Sequence, residues 1–249
     1  MVKYQKHSKI YNELTDLWNQ GNSRKFLMEK YNLSSSVLHG ILKKLNLPNK
    51  PTKSVNLTSY QNSVLIGTIL GDTYISKGSS KASYINFAHT QIHKEYFYKK
   101  IEILKDLDFS YIKEKSVFDK RTKKFYHLCT CISKACKELK ILRNIFYKNG
   151  KKCLPIEYLE KNFDKTSLAF LYMDDGNTQK YNTIISTQCF ERAELELFVK
   201  LLKKKFDLHF TVQLNNTLRL KQKDVNKFRE LIKNDVNEIE CMKYKIMSS

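Results

Sequence analysis

The sequence predicts an α+β protein of two pseudo-symmetric αββαββα repeats, with a small helical domain in front of them. Three observations predict this architecture. Apolar residues recur at helical spacing through residues 1–48. From Thr58 onward, segments that alternate apolar and polar residues are separated by helical segments. The same order of elements then occurs a second time, so we expect two sheets that together form a saddle.

Residues 1–48 are predicted to form three helices. The first is centred on Leu14 and Trp18, and residues 21–23 break it from the second. A run of serines at residues 34–36 supplies the cap of the third helix, which ends before Pro48. Two short helices joined by a tight turn are typical of a helix-turn-helix. The alternative is a three-helix packing module with no ligand of its own.

A linker is predicted over residues 49–57, which show little periodicity, and the first repeat follows over residues 58–150. The predicted elements of that repeat are a helix (60–71), strands (72–77 and 84–89), a helix (92–106), strands (111–118 and 124–131) and a helix (133–146).

A connector over residues 151–165, which contains Pro155, leads to the second repeat at residues 166–249. The predicted elements of that repeat are a helix (166–174), a loop or strand to Tyr181, a strand (183–188), a helix (191–206), strands (209–214 and 217–221) and a helix (223–234).

Charge is the strongest bulk property of the chain. Its 249 residues include 45 Lys and Arg against 25 Asp and Glu, a formal net charge of +20. A protein this basic usually binds a polyanion. A compositional bias toward Lys, Asn, Ile and Tyr from an AT-rich coding sequence is the alternative explanation.

The cysteine pattern favours free thiols in a reducing, intracellular setting. No two cysteines form a C-x-x-C pair, so common zinc modules are not indicated, although individual metal ligands stay an alternative. The polar and basic residues at 1–9 do not resemble a signal peptide, and no apolar run has membrane-spanning length. The six cysteines are Cys129, Cys131, Cys136, Cys153, Cys189 and Cys241.

Two similar nonapeptides open the repeats. Residues 65–73 read LIGTILGDT and residues 168–176 read LAFLYMDDG, each with an aspartate at its eighth position, Asp72 and Asp175. A carboxylate at a helix C-terminus faces the negative end of the helix dipole, and two neighbouring carboxylates repel each other. A divalent cation between them removes both penalties, so we interpret the two aspartates as metal ligands.

Small residues on these helices predict close packing between them. Gly67 and Gly71 share one helical face, and Ala169 is a small residue of the second helix. Phe170 stands where the first copy has Gly67, and we expect it to fill the space beside that glycine. Close contact along both helices would bring their last turns together.

The paired nonapeptides resemble the signature helices of the LAGLIDADG homing endonucleases, and the resemblance extends over residues 60–235. It implies two or three Mg²⁺ ions shared by Asp72 and Asp175, with help from the carbonyls of Gly71 and Asp174. It also implies metal-assisted hydrolysis of both strands of a DNA duplex, with short 3′ overhangs. Alignment with Asp72 selects Asp175 over Asp174; the alternative is that the second pair of acids only caps a turn. Thr73 departs from the glycine that usually follows the acid.

The resemblance implies further roles in the site. Residues 87–91 align with residues 184–188, which carries the water-orienting role to Gln91 and Gln188. Residues 218–222 resemble the strand that bears the active-site lysine, which indicates Lys221 for stabilising phosphate charge. In the first repeat, Thr130 or Lys134 is nearest to a counterpart, so the resemblance does not imply symmetric cleavage of the two strands.

Alternation along the strands predicts which residues face DNA. Ile75, Ile85, Phe87, Phe210, Val212, Leu218 and Leu220 are expected to face the helices. The predicted sheet contacts with DNA are Tyr74, Ser76, Tyr84, Asn86, Lys113, Lys115, Lys123, Lys124, Thr183, Thr211, Gln213 and Arg219. The N-terminal unit is expected to contact flanking DNA through Ser35, Ser36, His39, Lys43 and Lys44.

The resulting expectation is a monomeric, site-specific double-strand endonuclease that promotes mobility of its host intron or intein. Its partner would be duplex DNA, in a bacterial or phage-infected cytoplasm or an organelle matrix. One alternative is an RNA-splicing maturase on the same scaffold, which would bind intron RNA. Another is a DNA-binding regulator without catalysis, although both aspartates are retained.

Overall fold

The computed structural model describes residues 2–47, 54–179 and 182–247, with side chains omitted for residues 2–9 and 179. Residues 49–53 of the predicted linker and the end of the predicted segment at Tyr181 lie outside these residues. Of the linker residues that are described, Val55 is buried against the core of the first repeat. In the described residues, no helix is long and apolar enough to cross a membrane.

The N-terminal helices are α1 (Val2–Asn19), α2 (Arg24–Tyr31) and α3 (Ser35–Lys44). Ser23 and Ser34 cap α2 and α3, because each side-chain oxygen accepts a backbone N–H from the first turn. The three helices pack around a hydrophobic cluster of their own, separate from the main core. The fully buried members of that cluster are Leu14, Trp18, Leu27, Leu38 and Leu42.

The first repeat has the predicted order of elements. Its helices and strands are α4 (Ser59–Leu70), β1 (Tyr74–Ser76), β2 (Tyr84–Thr90), α5 (Lys94–Ile103), β3 (Phe109–Asp119), β4 (Lys124–Ser133) and α6 (Lys137–Phe146). Short 3-10 turns over Gln91–His93 and Lys105–Leu107 flank α5. The predicted connector contains structure: β5 (Tyr147–Lys148) pairs with β6 (Lys151–Lys152), and α7 (Ile156–Asn162) follows.

The second repeat follows the same order with shorter strands. Its helices and strands are α8 (Lys165–Asp175), β7 (Gly176–Gln179), β8 (Asn182–Ile185), α9 (Arg192–Phe206), β9 (Phe210–Val212), β10 (Leu218–Leu220) and α10 (Val225–Asn237). A 3-10 turn over Gln222–Asp224 precedes α10, and another over Glu240–Lys245 follows it. The sequence did not predict this last turn, which contributes a residue to the site described below.

Each repeat folds its strands into a four-stranded antiparallel sheet. The strand orders are β1-β2-β4-β3 and β7-β8-β10-β9, so the second sheet repeats the topology of the first. One continuous hydrophobic core includes residues of both repeats. The predicted α+β class with two pseudo-symmetric αββαββα repeats is therefore confirmed.

The two central helices, α4 and α8, pack directly against each other. A methyl group added to Gly67 would lie 2.3 Å from the carbonyl oxygen of Ser167 and 2.9 Å from Cβ of Phe170. Only a residue without a side chain fits this crossing, and Phe170 occupies the space beside it as predicted. At the N-terminal ends, the Ser63 hydroxyl donates to Asp164 (2.6 Å) and the Ser167 hydroxyl donates to the Ser63 carbonyl (2.9 Å).

Strand pairing determines how residues of the two repeats correspond. Tyr74 pairs with Asn86, and Asn177, which lies equally far beyond its aspartate, pairs with Ile184. Asn86 and Ile184 are therefore equivalent, whereas the sequence alignment matched Ile184 to Phe87. That alignment is wrong by one residue. Because strand side chains alternate between faces, a one-residue shift exchanges the buried and open positions of the strand.

The shift corrects one predicted DNA contact. Thr183 was expected to face DNA, but only 1% of its surface is exposed and its position corresponds to the buried Ile85. Asn182 and Ile184 take the open face of β8 instead. The predicted core-facing residues do point toward the helices, although Val212 is only half-buried.

Candidate active site

Asp72 and Asp175 lie at the C-terminal ends of α4 and α8. Burial, and then the charge of Asp174, raises the pKa of Asp72 to about 6. Burial, and then the charges of Asp72 and Asp174, raises the pKa of Asp175 to about 7. Each carboxylate therefore experiences the other acids at this end of the helix pair, and the site favours an added positive charge.

Asp174 plays a different part, because its side chain is completely buried and paired. One oxygen accepts a hydrogen bond from the Tyr96 hydroxyl (2.7 Å) and another from the Lys100 ammonium (3.0 Å). The other oxygen accepts a hydrogen bond from the backbone N–H of Asp72 (3.1 Å). Burial alone would raise the pKa of Asp174, but Lys100, followed by His89 and Tyr96, holds it below its ordinary value. Asp174 is thus a stable anion that ties the end of α8 to the first repeat.

His89 lies between two of these acids. Its Nδ1 is 3.8 Å from Asp72 Oδ2, and its Nε2 is 3.8 Å from Asp174 Oδ1. Burial, and then the charge of Lys100, lowers the pKa of His89 to about 3. Ligand atoms of Asp72, His89 and Asp174 all lie within 4.8 Å of one another. Two carboxylates and a buried ring nitrogen at this spacing fit a divalent cation.

Two lysines that sequence reasoning missed hold the ends of the central helices. The Lys152 ammonium donates to the Gly71 carbonyl at 2.6 Å, and the Lys245 ammonium donates to the Gly176 carbonyl at 2.9 Å. Lys245 also donates to the carbonyl of Met173. Burial lowers the pKa of both lysines, and the charges of both lower the pKa of Asp72 and of Asp175. Lys152 lies after the last helix of the first repeat, α6, and Lys245 lies after the last helix of the second, α10, so they form a second matched pair.

The two residues whose carbonyls the resemblance implies as metal ligands, Gly71 and Asp174, already have close neighbours. The Gly71 carbonyl already accepts the Lys152 ammonium. Gly71 itself is closely packed, since a methyl group there would lie 2.5 Å from Cβ of Asp174. Asp174 contributes its side chain to the site, as described above, whereas the resemblance implied its carbonyl.

Lys221 does not belong to this set of lysines. It is exposed and lines a groove on the second sheet with Asn182, Thr211 and Arg219. Strand pairing makes Lys134 its counterpart, since Ile132 pairs with Asn86 and Arg219 pairs with Ile184. Lys134 forms a surface ion pair with Asp108. The charges of Lys100, Lys152 and Lys245 lower the pKa of Asp72, and the role of Lys221 beside a bound phosphate stays a prediction.

The two predicted water-orienting glutamines are not equivalent. By strand pairing, Gln188 corresponds to Thr90, and Gln91 corresponds to Cys189. Gln188 is exposed and lines a cleft that also contains Lys152. Gln91 lines a separate pocket beside the middle of the β3–β4 hairpin, with Glu114 and His127. Of the two, Gln188 shares a cleft with a residue of the acidic centre.

Similar sequences occur among DNA endonucleases. A sequence profile of the LAGLIDADG DNA endonuclease family matches residues 62–228. The chain belongs to this family. DNA endonuclease I-ChuI of Chlamydomonas applanata is 27% identical, over 77% of this chain and 96% of that protein. Probable intron-encoded endonuclease 1 of Wickerhamomyces canadensis is 28% identical, over 77% of this chain and 85% of that protein.

A solved homing endonuclease has the same fold. The structure of the homing endonuclease I-WcaI bound to its DNA recognition sequence matches with a TM-score of 0.71 and 22% identity. The match covers 87% of this chain and 94% of that chain. At this identity the likeness establishes the shared fold.

The open sheet faces of this LAGLIDADG protein carry polar and basic side chains. Register places Tyr74, Ser76, Tyr84 and Asn86 on one face of the first sheet, opposite the buried Ile75 and Ile85. The remaining predicted sheet contacts that are exposed or half-exposed are Lys113, Lys115, Lys123, Lys124, Thr211, Gln213 and Arg219. The five predicted contacts on α3 are exposed: Ser35, Ser36, His39, Lys43 and Lys44. The sequence missed Asn177 and Asn182, which share the open face of the second sheet.

Proposed function

We propose that this chain is a site-specific endonuclease that cuts both strands of duplex DNA and promotes mobility of its host intron or intein. One observation carries the proposal: Asp72 and Asp175 lie at the C-terminal ends of two closely packed helices, where burial and neighbouring carboxylates raise the pKa of both. Family membership points to the same chemistry. We further propose that cleavage leaves short 3′ overhangs and that one chain acts as a monomer.

The residues of the site divide the chemistry among them. Asp72 and Asp175 are the ligands proposed for divalent metal, with Mg²⁺ as the physiological ion. When bound, such an ion polarises a phosphate oxygen and lowers the pKa of a coordinated water. Lys152 and Lys245 place positive charge next to the aspartates, where negative charge grows on the phosphate during cleavage. Gln188 is the residue proposed to orient the attacking water.

The polar sheet faces supply the proposed duplex-binding surface. Asn, Gln and Arg side chains pair with base edges in the major groove, and lysines contact phosphates. Arg219, Asn86 and Gln213 are proposed for base contacts, and Lys113 and Lys115 for phosphate contacts. The N-terminal helix-turn-helix unit is proposed to bind flanking DNA through the exposed side of α3.

A selection from randomised DNA duplexes tests this function. Purified full-length protein with Mg²⁺ is expected to release cut products, whose sequences define a target. On that target, Asp72→Asn and Asp175→Asn are each expected to abolish double-strand cleavage. Asp207→Asn is the matched control, because Asp207 is exposed and ends α9 far along the chain from either aspartate. Its cleavage rate should equal that of the wild type.

Other results would identify a different function. Tight binding of selected duplexes that stay intact with Mg²⁺ or Mn²⁺ would contradict the nuclease and favour a DNA-binding regulator. Restored splicing of a host intron without DNA cleavage would favour an RNA-splicing maturase. Cleavage that persists in both aspartate variants would refute the assigned site while leaving the activity.

A further inference from the structure

His89 has an unused ring nitrogen at the edge of the acidic centre. Its side chain is only 5% exposed, and its Nε2 has no hydrogen-bond partner among the described residues. A buried polar atom without a partner costs folding free energy, on the order of 1–3 kcal/mol. Its distance of 3.8 Å from Asp174 Oδ1 is too long for a hydrogen bond, so the buried ring is not held at this nitrogen in the metal-free protein.

The contacts of Asp174 decide which side of the imidazole is available. Both of its carboxylate oxygens are already occupied, by Tyr96 and Lys100 on one and by the N–H of Asp72 on the other. The Lys100 ammonium beside it would repel a cation. Asp174 therefore suits the outer role of a carboxylate that would accept Nε2–H and set the histidine tautomer once the ring closes the present 3.8 Å gap.

The opposite nitrogen faces an open carboxylate. His89 Nδ1 is 3.8 Å from Asp72 Oδ2, and the side chain of Asp72 is 43% exposed. An ion bound to both atoms would lie within reach of water and substrate. With Nε2–H directed at Asp174, the Nδ1 lone pair points at Asp72, which is the arrangement of a histidine ligand supported by an outer carboxylate.

The second repeat lacks this nitrogen. Strand pairing places Thr187 at the position of His89, and the Thr187 hydroxyl donates to the carbonyl of Asn216 at 2.6 Å. The two halves of the acidic centre therefore offer different donor atoms. Imidazole nitrogen favours transition metals, whereas carboxylate and water oxygens favour Mg²⁺ and Ca²⁺.

We infer that His89 is a metal ligand together with Asp72, and that this half of the site selects transition-metal dications over Mg²⁺. The inference deepens the proposed function, since it assigns a metal preference to one of the two catalytic aspartates. Asp174 faces the other ring nitrogen, Nε2, at 3.8 Å. The Asp175 half has Thr187 in place of the histidine. It is expected to bind Mg²⁺ and transition-metal dications with similar affinity.

Isothermal titration of the metal-free full-length protein tests the preference. With MnCl₂ and CoCl₂, His89→Gln is expected to weaken the tightest binding event by about tenfold or more. With MgCl₂, the same variant should change affinity by less than about twofold, because oxygen donors dominate there. Thr187→Val is the matched control and should leave Mn²⁺ and Co²⁺ binding unchanged. Equal losses for Mg²⁺ and Mn²⁺, or no loss for either, would overturn the inference.

Spin-echo spectroscopy of bound Mn²⁺ gives a readout that needs no mutation. In wild-type protein, a directly coordinated imidazole is expected to produce ¹⁴N modulation, which changes to the ¹⁵N pattern after ¹⁵N-histidine labelling. A Mn²⁺ spin echo that shows no nitrogen modulation would contradict the ligand role of His89, and so would a protein that binds no Mn²⁺. Both outcomes are measured on wild-type protein, so they hold even if His89→Gln fails to fold. These measurements use no DNA, so nitrogen-coupled Mn²⁺ in a protein that cuts nothing would refute only the proposed function.

Discussion

The backbone N–H of Asp72 donates a 3.1 Å hydrogen bond to the side chain of Asp174, which joins the acid-bearing ends of the two repeats. The same carboxylate is neutralised by Lys100 from α5. Asp174 therefore links three helices at the place where Asp72 and Asp175 must keep their spacing. Although Asp174 is next to Asp175 in the sequence, it has a structural role, which differs from the role proposed for Asp72 and Asp175.

The buried pair of Lys100 and Asp174 is expected to contribute strongly to stability. Both side chains are 0% exposed, so Lys100→Met would leave an unpaired buried carboxylate and lower the free energy of unfolding by about 3–5 kcal/mol. The double variant Lys100→Met/Asp174→Asn should lose less than the sum of the single changes, as measured by urea denaturation. Lys204→Met, at an exposed ion pair with Glu160, is the control and should change little. Additive losses would contradict direct coupling.

The contact between the central helices predicts intolerance to a single methyl group. Gly67→Ala would place Cβ 2.3 Å from the Ser167 carbonyl, so the helices must separate. We expect a loss of about 1–3 kcal/mol in unfolding free energy and slower cleavage, because the aspartates move with the helices. Gly40→Ala in α3 has nothing within 4 Å and should stabilise the protein by roughly 0.5–1 kcal/mol. Equal effects from the two substitutions would refute the close packing.

Stability of the metal-free protein is expected to fall as pH rises. The folded pKa values of Asp72 and Asp175, about 6 and about 7, lie above the unfolded value of about 3.9. Between these values the folded state binds more protons than the unfolded state, so the free energy of unfolding decreases from pH 5 to pH 8. Because Asp72 is partly exposed, solvent screening limits its share to on the order of 1 kcal/mol.

Thermal denaturation in a chelator checks this pH dependence. Asp72→Asn and Asp175→Asn should melt at higher temperature than the wild type at pH 8, and the difference should shrink toward pH 5. A wild-type melting temperature that increases from pH 5 to pH 8 in parallel with both variants would show that these carboxylates are not strained. Each aspartate-to-asparagine change is thus expected to raise the stability of the metal-free protein at pH 8 and to abolish cleavage.

Lysines on the β3–β4 hairpin are expected to control the salt dependence of DNA binding. Lys113 and Lys115 are exposed and lie on the face shared with Thr130 and Leu128. Each change to alanine should weaken binding similarly for all duplexes and reduce the slope of log K against log salt by about 1. Lys200→Ala, on the exposed side of α9, is the control. Fluorescence anisotropy at several salt concentrations measures the slope of log K against log salt. A slope that is unchanged in the lysine variants would exclude phosphate contacts by this hairpin.

Glu95 is expected to hold the segment that carries Lys245. Its two carboxylate oxygens accept the backbone N–H groups of Glu240 and Cys241, both at 2.9 Å. Because a glutamine amide nitrogen cannot accept, Glu95→Gln should speed amide exchange over residues 240–247 and lower kcat more than it changes KM. Glu102→Gln, also exposed on α5, is the control. Unchanged amide exchange over residues 240–247 together with a reduced kcat would contradict the role of Glu95 in holding this segment.

Much of the architecture could be predicted from the sequence because it depends on local patterns. Helical spacing, strand alternation and the recurrence of two nonapeptides predict the αββαββα repeats, and the structure confirms that order. Asp72 and Asp175 could be chosen because the same motif occurs twice. Phe170 could be placed beside Gly67 because a glycine on a helix face leaves space for a large neighbour.

Tertiary structure alone decided the composition of the acidic centre and the register of the second sheet. Lys152, Lys245 and His89 carry no local sequence signal, since each reaches the aspartates through chain segments that fold back from other elements. Thr183 was misplaced because β8 reads Asn-Thr-Ile-Ile, two polar residues followed by two apolar ones, so its sequence does not indicate which face is buried. Hydrogen bonds with β7 and β10 select the register. Local periodicity specifies which elements form, whereas contacts between distant segments specify which charges meet.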